Sequence, residues 1–431
     1  MIRSIFINFS ARLAMQILYF CTLLITTHFL GSEVRGEISL IQIAINMIHL
    51  ISDIVGGPAL VYMAPRAKLK TLLFTGWIWA FVSSAITWGI LIWTDAIPKG
   101  FEIPVLVSSV LLSLNSISMN ILLGQERLKQ YNLLLYLQGI LMIGGMSAGI
   151  FLLGHAHAVP YMDATYLAYG GCAMLGLYFV LTHRHVPHLT DRRPVLVVLF
   201  SNGIFTQLAN LTFQLSIRYN YYELDQHIHD NRASVGIYST AVSLGEAILL
   251  FAGSVAAILA ARIANERLTE VSRLRTLQLS KLSIGLTIPA VLFFALMPPE
   301  FYKGLLGHSF GAVHDSFVSL TPGIILVSFG TVFGHYFTGS GRPYMNFASG
   351  SFALILALVS TKYLVTNYGV IGAGWSASIA YAGLAVFIFT MFMLIGRDRK
   401  SEWKELIPRR TDVSALMNMF RQPKDDNSSV K

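Results

Sequence analysis

Apolar segments of about 20 residues recur along the whole chain, and short polar stretches separate them. A helix needs about 20 apolar residues to span a bilayer, and lipid leaves backbone groups unsatisfied outside helices and closed barrels. Segments of this length are helices rather than barrel strands, so we predict an all-α polytopic membrane protein. The expected spans, about twelve, are residues 5–30, 37–63, 71–93, 103–123, 131–153, 162–182, 194–217, 233–262, 276–297, 317–338, 345–365 and 370–396. We interpret the first as a retained helix and not as a signal peptide.

The chain also repeats itself. Residues 124–132 are echoed by residues 339–346, and each copy joins two apolar segments late in its own half. Further echoes in the same order are Gly36 and Ser39 with Gly236 and Ser239, residues 63–66 with 259–262, and residues 168–170 with 380–382. Duplicated bundles are typical of transporters, whose substrate site lies between the repeats.

These echoes predict the domain organisation. We expect two six-helix bundles around a central cavity, at residues 1–187 and 188–396, and then a basic amphipathic tail at residues 397–431 on the inner leaflet. An even number of spans in each half gives both halves the same orientation in the membrane. The repeats should therefore be parallel.

The distribution of charge predicts the topology. Only 12% of the residues are charged, whereas soluble domains carry about 25%. Short loops on one side hold 14 Lys or Arg residues and those on the other side hold 6. The positive-inside rule then places both termini and the 183–193 linker in the cytoplasm, and Arg35 and the 219–232 loop outside. The net charge of +9 reflects this topology, and we expect no nucleic-acid partner.

Polar residues form stripes on four of the predicted helices. In the second span Gln42, Asn46, His49 and Asp53 fall at i, i+4, i+7 and i+11, which is one helix face. Similar stripes are Arg12, Gln16, Tyr19 and Thr26 in the first span, Asn202, Thr206, Asn210, Gln214 and Arg218 in the seventh, and Ser239, Ser243, Glu246 and Gly253 in the eighth. These spans are the equivalent pairs of the two halves. We expect their stripes to line one hydrated cavity.

Ionisable groups within a span cost about 2.5–3.5 kcal/mol on insertion scales, so each needs water or a partner. Two interpretations stay open, namely contact with a substrate or ion and mutual pairing that stabilises packing. Candidate substrate-binding residues are Arg12, Gln16, Gln42, Asn46, His49, Asn210, Gln214 and Arg218. Arg218 could equally snorkel to the outer interface.

Asp53 and Glu246 are candidates for coupling to H⁺ or Na⁺. A carboxylate that binds and releases an ion during a transport cycle would serve this purpose. We prefer Glu246, because Asp53 has His49 one turn away and is expected to pair with it. A polar contact between helices 7 and 8 is the alternative role for Glu246.

The sequence lacks the signals of the common enzyme classes. No phosphate-binding Gly-Lys-Ser/Thr loop, metal-ligand spacing or nucleophile constellation is visible. Cys21 and Cys172 fall in predicted helices, and we assign them no disulfide. We therefore expect no catalytic residues and no cofactor apart from a coupling ion.

Five stretches resemble the polysaccharide-export (Wzx-like) branch of the multidrug/oligosaccharidyl-lipid/polysaccharide (MOP) flippase superfamily. They are residues 29–31 with 35–39, Asp53 with 56–60 and 65–66, 235–239 with Glu246, 339–343, and 368–374. Their joint order, over residues 8 to about 395, carries the resemblance more than any single piece. It is more specific for the superfamily than for the branch.

The resemblance implies a flippase of the bacterial inner membrane for O-antigen, capsule or exopolysaccharide synthesis. Such proteins move an undecaprenyl-diphosphate-linked oligosaccharide between leaflets by alternating access, through a cavity lined by helices 1, 2, 7 and 8. Partners implied are that lipid, the bilayer, a polysaccharide polymerase and a chain-length regulator. Arg12 is the candidate for the diphosphate. The family cavity is often strongly cationic, whereas this one mixes both charges. A cation-coupled drug antiporter, and a scramblase or assembly partner, remain the alternatives.

Overall fold

A computed structural model describes residues 2–154, 157–182, 194–228, 231–265 and 270–395. Side chains are described from residue 17 onward within these ranges, except at residues 202, 231, 250–252, 254–265 and 270–271. The described elements are all helical. They are α1 (Ile2–Gly56), α2 (Pro58–Met63), α3 (Leu69–Trp93), α4 (Glu102–Gly124), α5 (Leu128–Phe151), α6 (Val159–Leu181), α7 (Val195–His227), α8 (Asn231–Asn265), α9 (Glu270–Leu296), α10 (Pro299–Leu306), α11 (Val313–Gly339) and α12 (Tyr344–Ile395), with a short 3₁₀ turn after α10.

Two helices each join two predicted spans through a glycine. α1 bends at Gly31 (φ 78°, ψ 178°) and α12 bends at Gly369 (φ 56°, ψ −130°). Residues with a Cβ atom are essentially excluded from these backbone regions, so glycine changes the chain direction without a loop. Nine of the described helices are long and apolar enough to cross a membrane. Counting both arms of α1 and α12, and adding the 35-residue α8, gives the twelve expected spans.

Two sequence predictions about loops are wrong. α7 runs to His227, so much of the predicted 219–232 loop is helical. Arg35 likewise lies within α1. Polar residues continue α7 because they can be satisfied within the helix, as where the Tyr219 hydroxyl donates to Glu223 at 2.5 Å. The break predicted between the last two spans coincides with the kink in α12 at Gly369. The 183–193 linker and the tail from residue 397 lie outside the described residues.

The helices pack in two groups with the same internal plan. α3 to α6 pack together and against α1, and α9 to α12 pack together and against α7 and α8. The echoed turns before α5 and α12 confirm this equivalence. Glu126 and Gly341 both have a left-handed backbone, with φ of 58° and 73°. In each copy the next arginine donates its amide five residues back, at 2.9 Å for Arg127 and 2.8 Å for Arg342.

The echoed glycines meet where α1 crosses α8. A Cβ atom at Gly36 would lie 1.8 Å from the carbonyl oxygen of Arg232, and one at Gly236 would lie 1.9 Å from that of Ser32. The two contacts are equivalent in the two halves, because Gly36 corresponds to Gly236 and Ser32 corresponds to Arg232 by a shift of 200 residues. The crossing is therefore a point of internal two-fold symmetry, and only residues without a side chain allow the backbones to approach so closely.

The two helices run in the same direction through this crossing. Further along both, the hydroxyl of Ser39 donates to that of Ser239 at 2.8 Å. If the helices were antiparallel, residues 39 and 239 would lie on opposite sides of the Gly36–Gly236 contact and could not meet. The two halves are thus parallel repeats, as the even number of spans predicts.

The crossing lies at the end of the bundle where both long helices bend, which we call the kink end. There Ile228, at the end of α7, lies 3.6 Å from the Cβ position of Gly369. A salt bridge between Glu37 and Arg232 also joins the halves. At the opposite end the halves touch through α7, where a Cβ atom on Gly203 would lie 1.9 Å from the carbonyl oxygen of Ile54.

Candidate substrate cavity

The stripe on α1 faces α4. His49 lies 3.6 Å from Asp53 one turn further along and 3.3 Å from the hydroxyl of Ser113. Ser116 donates to the other carboxylate oxygen of Asp53 at 3.0 Å. The side chains of His49 and Asp53 are 18% and 17% exposed. The pairing expected between them is therefore present but long, and serine is the closer partner of Asp53.

α4 contributes polar residues that our sequence analysis missed. Ser113, Ser116 and Asn120 follow one another at i, i+3 and i+7, and the Asn120 amide donates to Ser116 at 3.1 Å and to the carbonyl of Gly56 at 3.3 Å. This spacing is the same helical signal that reveals the other stripes. Serine is common in membrane helices as a packing residue, which is why the pattern does not stand out.

A second polar chain connects three helices of the first half. The Gln138 amide of α5 donates to the hydroxyl of Tyr19 at 3.2 Å and accepts a bond from Asn115 of α4 at 2.9 Å. Tyr19 belongs to the predicted stripe on the first arm of α1, and 39% of it is exposed. The stripe of the first span thus reaches into the bundle through a hydrogen-bonded network.

In the second half the charged residues pair between α7 and α8. Arg218 donates to Glu246 at 2.8 Å, to the hydroxyl of Tyr221 at 2.6 Å and, at 3.4 Å, to Gln214. The Arg218 side chain is 17% exposed, so it does not reach the outer interface by snorkelling. Glu246, which we preferred for coupling, has a closer cationic partner than Asp53 has. The alternative contact between helices 7 and 8 is the one observed.

The remaining amides lie along the same faces. Gln42 and Asn210 are exposed and Asn46 is half-buried. Asn210 donates to the buried Gln207 at 3.1 Å, whereas Gln42 and Asn46 have no hydrogen bond to other described residues. Exposed amides on apolar helices face water rather than lipid, because lipid offers them no partner. The side chains of Arg12 and Gln16 lie outside the described residues.

The two carboxylates lie at different depths below the crossing. Glu246 is seven residues beyond Ser239 in α8, or about 10 Å along the helix, and Asp53 is 14 residues beyond Ser39 in α1, or about 21 Å. We call the space that these stripes border the central cleft. Its kink end is closed by the α1–α8 crossing. Its walls offer hydrogen bonds from both halves at several depths.

This arrangement of side chains can bind a polar solute. Among the described residues, no three His, Cys, Asp or Glu side chains are placed to hold a metal ion. The polar stripes carry amides and hydroxyls, and the carboxylates of Asp53 and Glu246 are already hydrogen-bonded. Such a surface suits hydroxyl-rich ligands, for which side-chain amides supply both donors and acceptors.

Solved structures with the same arrangement of helices are membrane transporters. The chain is similar to the inward-facing conformation of a multidrug resistance MATE family transporter of the MOP superfamily, with a TM-score of 0.72 and 18% identity over 93% of this chain and 99% of that chain. The inward closed conformation of the lipid II flippase MurJ gives 0.67 and 13%, over 97% and 93%. A MOP superfamily transporter from Pyrococcus furiosus, described as having a binding pocket of reverse polarity, gives 0.57 and 14%, over 94% and 95%.

The chain has the fold of the MOP-superfamily transporters. It is a multi-pass membrane protein built from two parallel six-helix bundles. No protein-family model and no curated protein matches the sequence. Placement in the Wzx-like branch of the superfamily stays a prediction.

Proposed function

We propose that this protein is a flippase that moves an undecaprenyl-diphosphate-linked oligosaccharide across the bacterial inner membrane by alternating access. The observation that carries the proposal is the chemistry of the polar stripes, where amides are accessible and the carboxylates of Asp53 and Glu246 are already hydrogen-bonded. Oligosaccharides present many hydroxyl groups, and Gln42, Asn46 and Asn210 lie where they can bind them. The twofold crossing at the kink end then acts as the gate that opens toward the periplasm.

A cation-coupled drug antiporter is the competing function. It would need a carboxylate free to accept an organic cation, and Glu246 already binds Arg218 at 2.8 Å. Asp53 favours this alternative more than Glu246 does, because its nearest basic side chain is the imidazole of His49 at 3.6 Å and not an arginine. In a flippase the same features make Asp53 the better candidate for H⁺ or Na⁺ coupling.

Orientation is part of the proposal. The charge distribution favours cytoplasmic termini, which would direct the kink end to the periplasm. Reporter fusions at the end of α6 and after α12 should report the cytoplasm, and a fusion at the end of α7 should report the periplasm. The opposite pattern would contradict the direction of transport.

Complementation of a flippase-null strain tests the function. Expression of the protein should restore surface polysaccharide, and Asn210→Ala should reduce it at equal membrane levels. Asn367→Ala is the matched control, because Asn367 is exposed on α12 and, among the described residues, its amide donates only within its own helix, to the carbonyl of Tyr363 at 2.7 Å. Efflux of organic cations without restored polysaccharide would instead favour the antiporter.

A further inference from the structure

The connection between α9 and α11 is twice as long as its equivalent in the first half. Residues 297–312 form it, and they contain α10 and the 3₁₀ turn His308–Phe310. In the first half, residues 94–101 join α3 to α4 through turns. We call residues 297–312 the strap. The internal repeat does not account for the strap, so the second half has a feature of its own at the kink end.

The strap is part of the core of the second half. Tyr302, Leu306 and Phe310 are fully buried in that core. The hydroxyl of Tyr302 also donates to the carbonyl of Phe294, near the end of α9, at 2.6 Å. Burial of three large side chains fixes the strap to its own half. When the two halves move apart, the strap therefore moves with the second half.

The strap also touches the first half. A Cβ atom on Gly307 would lie 3.3 Å from the carbonyl oxygen of Thr27 and 3.6 Å from the Cα atom of His28. Both α10 and the 3₁₀ turn contact α1. Gly307 has φ 111° and ψ 158°, a backbone region that is nearly restricted to glycine. Glycine thus permits both the turn within the strap and its close approach to α1.

This contact falls on the first arm of α1, directly before the kink at Gly31. Phe20 and Leu24 lie seven and four positions before His28, on one helix face, and they pack against the core of the second half. Ile25 packs against the core of the first half instead. The first arm is therefore held between the halves. If the α1–α8 crossing opens, the arm must leave either the strap or its own half.

We propose that the strap is a latch that holds the first arm of α1 against the second half and so keeps the kink end closed. Opening of the α1–α8 crossing then requires release of the strap from Thr27 and His28, and Gly31 is the hinge at which the arm swings. The second half alone provides this latch. The inference goes beyond the proposed function, because such a latch would serve a flippase and an antiporter alike.

Access of a water-soluble reagent to the crossing tests the latch. Ser239 is 2% exposed in the closed kink end, so Ser239→Cys should react with a hydrophilic maleimide only in molecules that have opened. The full-length protein carries this reporter in nanodiscs, with Cys21 and Cys172 replaced by alanine. When labelling is slow relative to opening and closing, its rate is proportional to the open fraction.

Gly307→Ala weakens the latch from the side of the strap. Alanine disfavours the docked backbone, and we expect labelling to rise about 5- to 100-fold, the factor that a side chain in a glycine-only region implies. Gly100→Ala is the matched control. Gly100 has a φ of 89° in the equivalent connection of the first half, with open space around its Cβ position. This variant carries a similar local strain, but it should label at the rate of the reporter protein.

A second pair of variants tests the latch from the side of α1. Leu24→Ala removes packing between the first arm and the second half, whereas Ile25→Ala removes an equally large side chain that packs on the first half. Both positions are half-buried. We expect Leu24→Ala to raise the labelling rate and Ile25→Ala to leave it unchanged. This pair decides the question if Gly307→Ala does not fold.

The outcomes separate a latch from a general loosening of the bundle. Faster labelling of Gly307→Ala than of Gly100→Ala, or of Leu24→Ala than of Ile25→Ala, supports the latch. Labelling of both Gly307→Ala and Leu24→Ala at the reporter rate would overturn it, as would an equal rise in both controls. The readout needs no substrate, so the latch can fail while the flippase function stands, and the reverse.

Discussion

The kink end allows a direct test of alternating access, because the Ser39 and Ser239 hydroxyl oxygens are 2.8 Å apart across the two halves. We consider Ser39→Cys with Ser239→Cys in a protein whose Cys21 and Cys172 are replaced by alanine. A disulfide needs an S–S distance of about 2.05 Å and Cβ atoms roughly 3.5–4.5 Å apart. Side chains in hydrogen-bond contact hold their Cβ atoms near that range. The pair should cross-link efficiently under a mild oxidant.

The size of the effect differs between the two redox states. The reduced variant loses one hydroxyl hydrogen bond, which contributes about 0.5–1.5 kcal/mol. Its closed end should therefore open roughly two- to twelvefold more readily than in the wild type. The Gly36–Gly236 contact and the Glu37 salt bridge remain in place, so the reduced protein should still close. The oxidised protein cannot separate the crossing, and its flipping should fall to background.

The assay measures flipping of a fluorescent lipid-linked oligosaccharide in proteoliposomes before oxidation, after oxidation and after reduction. Each single cysteine variant is a control, because it loses the same hydroxyl but cannot cross-link within the chain. Thiol labelling reports the fraction cross-linked. A fully oxidised protein that flips as fast as its reduced form would refute the idea that the kink end opens. Failure to cross-link would show that the two arms are not held together in the membrane.

Three further predictions concern single residues. Asp53→Asn should abolish the response of flipping to an imposed pH or Na⁺ gradient, and an unchanged response would exclude Asp53 from coupling. Glu246→Gln should lower stability by roughly 1–3 kcal/mol, between the values for exposed and buried pairs, and thermal unfolding should recover when Arg218 and Glu246 are both changed to methionine. Gly31→Ala should cost about 1–3 kcal/mol because alanine disfavours the backbone at this kink. Gly89→Ala, in an ordinary helix with open space beside it, should show no such loss on thermal unfolding.

The number and order of the spans could be read from the sequence, because lipid imposes a length of about 20 apolar residues on each helix. The parallel repeat could also be predicted from the sequence, since Gly36 and Ser39 recur at Gly236 and Ser239. The ends of the helices were harder to predict from the sequence. The end of α7 at His227 was missed because hydropathy marks where a helix leaves apolar surroundings and not where its backbone hydrogen bonds stop.

Only the tertiary structure decided which residues meet. Helical periodicity placed Asp53 and Glu246 on polar faces, but it could not assign Ser116 to the first or Arg218 to the second. These partners are 63 and 28 residues away on other helices. The reason is physical: lipid tails are as apolar as a helix interface, so apolar sequence does not distinguish the two. Close packing of small residues and polar contacts determine which helices pack against each other. These interactions exist only once the helices have assembled.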